Sequence, residues 1–142
     1  MEMQYFKMYS PALNRDMECK VYGHAGRPVL FIPCQDGRFF DFEGYKMVEV
    51  WSPWIESGQV MVIAIDTIDK ETWSDKNGNA DYRINRHEEW MRYITTEVVP
   101  FIQHIAIHLE ARIRDKPRSS ARRAHGSLLG KTGSFFYGNA SL

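Results

Sequence analysis

Two short runs constrain the fold of this chain more than anything else in it. Val29-Leu30-Phe31-Ile32 and Val60-Met61-Val62-Ile63-Ala64-Ile65 are apolar without interruption. A strand that alternates apolar and polar residues covers one face of a sheet. A strand without alternation is buried on both faces, as the inner strands of a parallel sheet are. Pro33 ends the first run and Asp66 ends the second. Between them lie a polar loop, Cys34-Gln35-Asp36-Gly37-Arg38, and a helical pattern over residues 39–50 carrying Phe40, Tyr45, Met47 and Val48. A second helical stretch follows over residues 51–57, with Ser52-Pro53 suited to its start and Gly58 to its end. Strand, loop, helix, strand is a βαβ unit, whose crossover is expected to be right-handed. The reading is an α/β fold.

The flanking segments extend this plan. Residues 4–9 alternate and predict a short strand, broken by Ser10-Pro11 and Asn14. Residues 16–22 alternate cleanly, with Met17, Cys19 and Val21 on one face, and predict a second strand antiparallel to the first. Two antiparallel edge strands then lead through a turn at residues 23–28 into the parallel pair, with helices on the faces, giving three layers. Residues 67–81 form a long polar loop rich in Asp, Asn and Gly. Long ordered loops at strand ends often carry function. Residues 84–106 hold the longest helical pattern, with Trp90, Tyr93, Ile94, Val98, Phe101, Ile102 and Ile105 at helical spacing. Pro100 predicts a kink or a brief break there.

After Ala106 the texture changes. Residues 107–114 can extend the helix by two turns, and Pro117 stops it. Arg118-Ser119-Ser120-Ala121-Arg122-Arg123 has no periodicity, and residues 126–142 hold four glycines and the cluster Phe135-Phe136-Tyr137. The formal net charge of the 142-residue chain is zero, with 18 basic and 18 acidic residues. Residues 107–142 contain seven basic and two acidic residues, a charge of +5, which leaves −5 on residues 1–106. Opposite signs on two segments point to a tail that docks electrostatically, binds nucleic acid, or is foreign to the domain. The expected organisation is therefore residues 1–106 as the α/β portion and residues 107–142 as a basic Gly/Ser/Arg-rich tail.

At 44% apolar and 13% aromatic residues, the chain can bury a core. No apolar run approaches the roughly 20 residues of a membrane helix, so no membrane partner is expected. The N-terminus shows no basic segment followed by an apolar one, so a cytoplasmic location is expected, with Cys19 and Cys34 as reduced core thiols.

Several motifs admit a sharper and a plainer reading. Asp75, Asn77, Asn79 and Asp81 alternate like the start of a calcium loop, but Ala80 stands where that loop needs glycine and Arg86 where it needs glutamate; a solvated turn fits better. His104 and His108 share the i, i+4 spacing of zinc ligands without a third ligand nearby in sequence. No metal or cofactor is expected. Cys34 as a nucleophile needs a paired histidine, and a small buried residue at a strand end is the plainer reading. Asp66 ends a strand on the side where α/β enzymes place their sites, so it either lines a pocket or caps the following turn. Trp51, Trp54, Trp73 and Trp90 are core or pocket wall. The basic tail lacks interleaved aromatics, so nucleic acid is not an expected partner.

The stretch from Phe31 through Cys34-Gln35-Asp36-Gly37-Arg38 to Glu43 is similar to the first oxyanion-loop region of the bacterial esterase family. These are the α/β-hydrolases related to esterase D and the mycolyltransferases. Residues 62–68 with Glu71-Thr72-Trp73 resemble that family's next strand and loop. Arg86-His87 and residues 93–101 resemble the helix that precedes its nucleophile strand. The likeness covers about three quarters of the chain in order. It implies an N-terminal half of a three-layer α/β-hydrolase sheet. It also implies serine-ester hydrolysis of a small-molecule ester, in which a serine on a Gly-x-Ser-x-Gly elbow attacks, a histidine takes its proton and an acid orients the histidine. Carried onto this sequence, the oxyanion donors are backbone groups at Cys34 and Gln35, with Asp36, Asp66 and Trp73 as candidate pocket-lining residues.

The elbow itself is missing. Gly126-Ser127-Leu128-Leu129-Gly130 places serine second instead of third, and no buried strand precedes it. The acid and histidine expected after the serine are also absent. Three functional readings follow. The chain is a catalytically incomplete ester hydrolase whose tail is a frameshift or truncation scar; or it is a non-catalytic binding module using the strand-end loops and the tail; or it is a non-functional product. Half a sheet also leaves an inner strand as an open edge, which predicts self-association through it.

Overall fold

The structure, a computed structural model, describes residues 1–114. Strand β1 (Met3–Ser10) and β2 (Arg15–Tyr22) form an antiparallel hairpin in which Met3 faces Tyr22 and Ser10 faces Arg15. Strand β3 (Arg27–Phe31) pairs in parallel with β4 (Val60–Ile65), and β4 pairs antiparallel with β2, Cys19 facing Ile65. The sheet order is β1-β2-β4-β3. Two expectations change here. Strand β2 is an inner strand rather than an edge. Strand β3 lies at the edge of the described sheet, so Val29, Leu30 and Phe31 are only half-buried and Ile32, just beyond it, is 47% exposed. Uninterrupted apolarity marks β4, which has partners on both sides, as buried; in β3 the same signal comes without a second neighbour among the described residues.

The period of two sorts the strands between two cores. Met17, Cys19, Val21, Met61, Ile63 and Ile65 pack on one face with Tyr93 and Val98. Tyr22, Val62 and Ala64 pack on the other with Phe42 and Ile55. Helices therefore pack against both faces of the sheet.

Between β3 and β4 the expected helix over residues 39–50 is broken. A single turn, α1 (Asp41–Gly44), is followed by Lys46 at φ 58°, and α2 (Met47–Glu56) starts afresh. A left-handed residue cannot continue a right-handed helix. Pro53 lies inside α2, not at its start. It has no N–H to offer the Glu49 carbonyl, and the Ser52 hydroxyl donates to that carbonyl at 2.9 Å.

Helix α3 (Ala80–Tyr93) begins four residues before the expected start. The Asn79 side chain caps it, accepting from the Asp81 N–H at 2.8 Å and the Tyr82 N–H at 3.4 Å. The break assigned to Pro100 falls just ahead of it, as a wide π-turn over Ile94–Val98, and α4 (Val99–Arg114) resumes beyond. Pro100 lacks the N–H that an α-helix would direct at Thr96, and the widened turn accommodates this. The wider turn puts Tyr93 and Val98, five residues apart, in the same core. Helix α4 runs without interruption past Ala106 to Arg114. The readings made for residues 115–142 lie outside the described residues. No described helix is long and apolar enough to cross a membrane.

Candidate active site

The loop leaving β3 and the loop leaving β4 meet at the C-terminal end of the parallel pair, where open α/β sheets place ligand sites. The first of these loops opens with a tight turn. The Gly37 N–H donates to the Cys34 carbonyl at 2.8 Å, with Asp36 at φ 60° in the third position. Aspartate tolerates that left-handed conformation better than most side chains. Gly37 is required by space: a Cβ there would sit 2.6 Å from both the Cys34 carbonyl oxygen and the Pro33 Cβ.

Three bonds anchor the loop to the segment after β4. The Asp36 N–H donates to Asp69 Oδ2 at 3.1 Å, the Thr67 hydroxyl donates to the Gly37 carbonyl at 3.1 Å, and Gln35 Nε2 donates to the Ser74 hydroxyl at 2.8 Å. Asp66 closes the arrangement. Its Oδ1 accepts from Arg38 Nε at 2.8 Å and from the Phe39 N–H at 2.9 Å, and Arg38 Nη2 reaches Glu18 Oε2 at 2.6 Å. Asp66 is buried, while the Arg38 side chain is close to half exposed and lies over the Phe39 and Phe40 rings. The hydrogen bond that Arg38 donates to Asp66 raises the guanidinium above its ordinary value.

A cavity of about 270 Å³ opens between these loops, lined among others by Arg15, Glu18, Asp36, Arg38, Asp66 and Lys70. Two of the sequence candidates, Asp36 and Asp66, meet in it. Trp73 lines a second, neighbouring cavity with Ile84 and His87. Gln35 is tied to Ser74, the residue after Trp73. Cys34 is exposed on the turn, which corrects the expectation of a buried thiol: the residue lies past the last paired position of β3, where the chain leaves the sheet. Cys19 is buried as expected, and burial pushes its thiol up to about 12.

The sequence reading gave no role to Arg38, Glu18 or the ion-pair chain at the cavity rim. In that chain Glu71 accepts from Arg15 and from Arg86, and Arg86 also meets Glu89. The one local signal was a lone arginine in the loop after one strand and an aspartate ending the next. His108 Nδ1 lies 3.0 Å from the His104 carbonyl oxygen, so one of the two helix histidines is held by its own backbone. Asn79, considered as a calcium ligand, has its side-chain oxygen committed to the α3 cap.

Chemically, the turn offers backbone donors. Among the described residues, neither the Cys34 nor the Gln35 N–H donates to a protein acceptor. The carboxylate of Asp66 is engaged in shaping the loop, and no described serine, threonine or cysteine is hydrogen-bonded to a histidine.

No family model matches the sequence, and no curated protein matches it. Among solved structures, the chain is similar to an uncharacterised protein from Capnocytophaga ochracea, at 17% identity and a TM-score of 0.48, over 72% of this chain and 29% of that one. It is also similar to the apoenzyme of S-formylglutathione hydrolase from Staphylococcus aureus, at 12% identity and a TM-score of 0.42, over 68% of this chain and 42% of that one. The chain thus spans less than half the length of either structure. Fold and site together define a mixed α/β domain with a four-stranded sheet and a polar cavity at the carboxyl ends of its parallel strands.

Proposed function

We propose that residues 1–106 form the oxyanion-loop half of a serine carboxylic-ester (acyl) hydrolase of the α/β-hydrolase type, and that this chain alone is catalytically incomplete. The observation that carries the reading is the turn after β3. It is fixed by Asp66, Asp69 and Thr67, and among the described residues the backbone N–H groups of Cys34 and Gln35 have no protein acceptor. Preorganised backbone donors are what a tetrahedral acyl intermediate requires. The side chains around them stiffen the turn, and none is placed as a nucleophile. In the complete enzyme a serine from beyond the described residues attacks the ester carbonyl, whose oxygen turns toward Cys34 and Gln35. The basic tail contributes no catalytic group.

Two measurements test this. A serine-reactive fluorophosphonate probe is expected to leave the chain unlabelled; labelling at Ser127 or Ser134 would overturn its incompleteness. Reading the coding DNA from codon 100 onward in all three frames is expected to reveal an apolar strand followed by Gly-x-Ser-x-Gly. If no frame contains one, the ester-hydrolase reading fails.

A further inference from the structure

We infer that the cavity walled by Trp73, Ile84 and His87 binds a neutral aryl group and, resting on the ester-hydrolase reading above, that it receives the aryl part of the ester. The cavity measures about 260 Å³ and is completed by Thr72, Ala80 and Arg83. An apolar cavity of roughly 150 Å³ accommodates a benzene ring, so this one holds a ring and a short linker. Trp73 and Ile84 are 63% and 57% exposed, large apolar groups left facing water. The Trp73 indole meets the His87 imidazole edge-on, with centroids 5.0 Å apart and planes at 66°. A third ring laid against this touching pair finds both edge and face contacts, which an alkyl chain cannot use.

The walls are fixed in advance. Arg83 Nε donates to the Thr72 carbonyl at 2.7 Å and Nη2 to the Trp73 carbonyl at 3.4 Å, so α3 holds the Trp73 backbone in place. Binding then requires little ordering of the protein. The site also adjoins the oxyanion turn, because Ser74 accepts the hydrogen bond of Gln35. On this reading, the carbonyl attached to the bound aryl group lies on the Gln35 side.

The test is a titration of the full ¹⁵N-labelled chain with acetanilide, a neutral amide analogue of a phenyl ester, followed by NMR. Hexanamide is the alkyl control. Saturable shifts are expected at the Trp73 indole N–H and at the Gln35 and Ser74 amides, with a Kd on the order of 1 mM for a ligand of this size. Trp73→Ala is expected to weaken binding about tenfold, and Trp73→Phe to retain most of it, with unchanged melts for both. No saturable shift up to about 10 mM overturns the site, and equal affinity for hexanamide overturns the aryl assignment. Shifts at Trp73 with Gln35 and Ser74 silent overturn its role as a substrate site. None of these results bears on the ester-hydrolase reading, which the phosphonate probe and the reading frames decide.

Discussion

Asp66 Oδ1 accepts the Arg38 Nε–H at 2.8 Å, joining the end of β4 to the loop that leaves β3, and the same oxygen takes the neighbouring Phe39 N–H at 2.9 Å. Asp66→Ala removes both bonds. A hydrogen bond to a charged group contributes about 1.5–3 kcal/mol. Arg38 is close to half exposed and regains water, so a total loss of about 1–3 kcal/mol is expected in urea unfolding. Asp66→Asn keeps an acceptor and should lose less. In the Ala variant the Phe39 amide should exchange faster than global unfolding explains, while Val21 follows the global rate. Equal protection of Phe39 in both proteins would show that Asp66 does not hold the loop.

The two thiols should separate in reactivity. Cys19 is 2% exposed and its pKa is pushed up by burial, whereas Cys34 stands on the turn. Ellman's reagent at pH 8 is expected to titrate one thiol in the native protein and both in urea. Cys34→Ser should abolish the native signal; a persisting one would mean that Cys19 is reachable in the folded state.

Burial pushes the Glu71 carboxyl up, but the hydrogen bonds and charges of Arg15 and Arg86 together outweigh it and hold the group below its ordinary 4.5. Between the lowered value and 4.5 the unfolded chain holds a proton that the folded chain does not. Stability from this group is therefore complete above about pH 5 and drains away as pH falls through the folded value. Urea midpoints measured between pH 6 and pH 3 should fall more steeply for the parent protein than for Glu71→Gln. Parallel curves would remove Glu71 from the acid response.

Asn79 caps the helix that carries Arg83, Arg86 and His87. Asn79→Ala is expected to cost about 1 kcal/mol, and Asn79→Asp close to nothing, since aspartate caps as well and its charge suits a helix N-terminus. Chemical denaturation checks both. A neutral Ala variant would show that the helix start is set by tertiary packing.

Much of the sheet was legible because a two-residue period is a local property. The alternation of Met17, Cys19 and Val21 and the unbroken run in β4 both state which faces are covered. Whether β3 has one neighbour or two is a question of partners, which a run of apolar residues does not encode. The break at Lys46 was hidden because a left-handed lysine leaves no mark in the sequence, whereas Pro53 and Pro100 advertise disruption without saying on which side it falls. In the site, Asp36 and Asp66 were readable as residues at strand ends. Arg38 and Glu18 find Asp66 and each other across 20 residues or more, a distance over which no local pattern survives.

The side of β3 away from β4, unpaired among the described residues, is an unequal template. The Arg27 N–H points inward, to the Gln59 carbonyl at 2.9 Å, so by the alternation of the strand Val29 and Phe31 also face β4 while Pro28 and Leu30 face outward. Pro28 costs the existing ladder nothing, yet it leaves the outer side one donor short at its first position. An incoming strand, whether from a second copy or from the rest of a larger sheet, finds a donor at Leu30 but none at Pro28. It would zip from the Leu30 end, beside the Cys34–Gly37 turn, so that extending the sheet begins next to the loop that Asp66 holds.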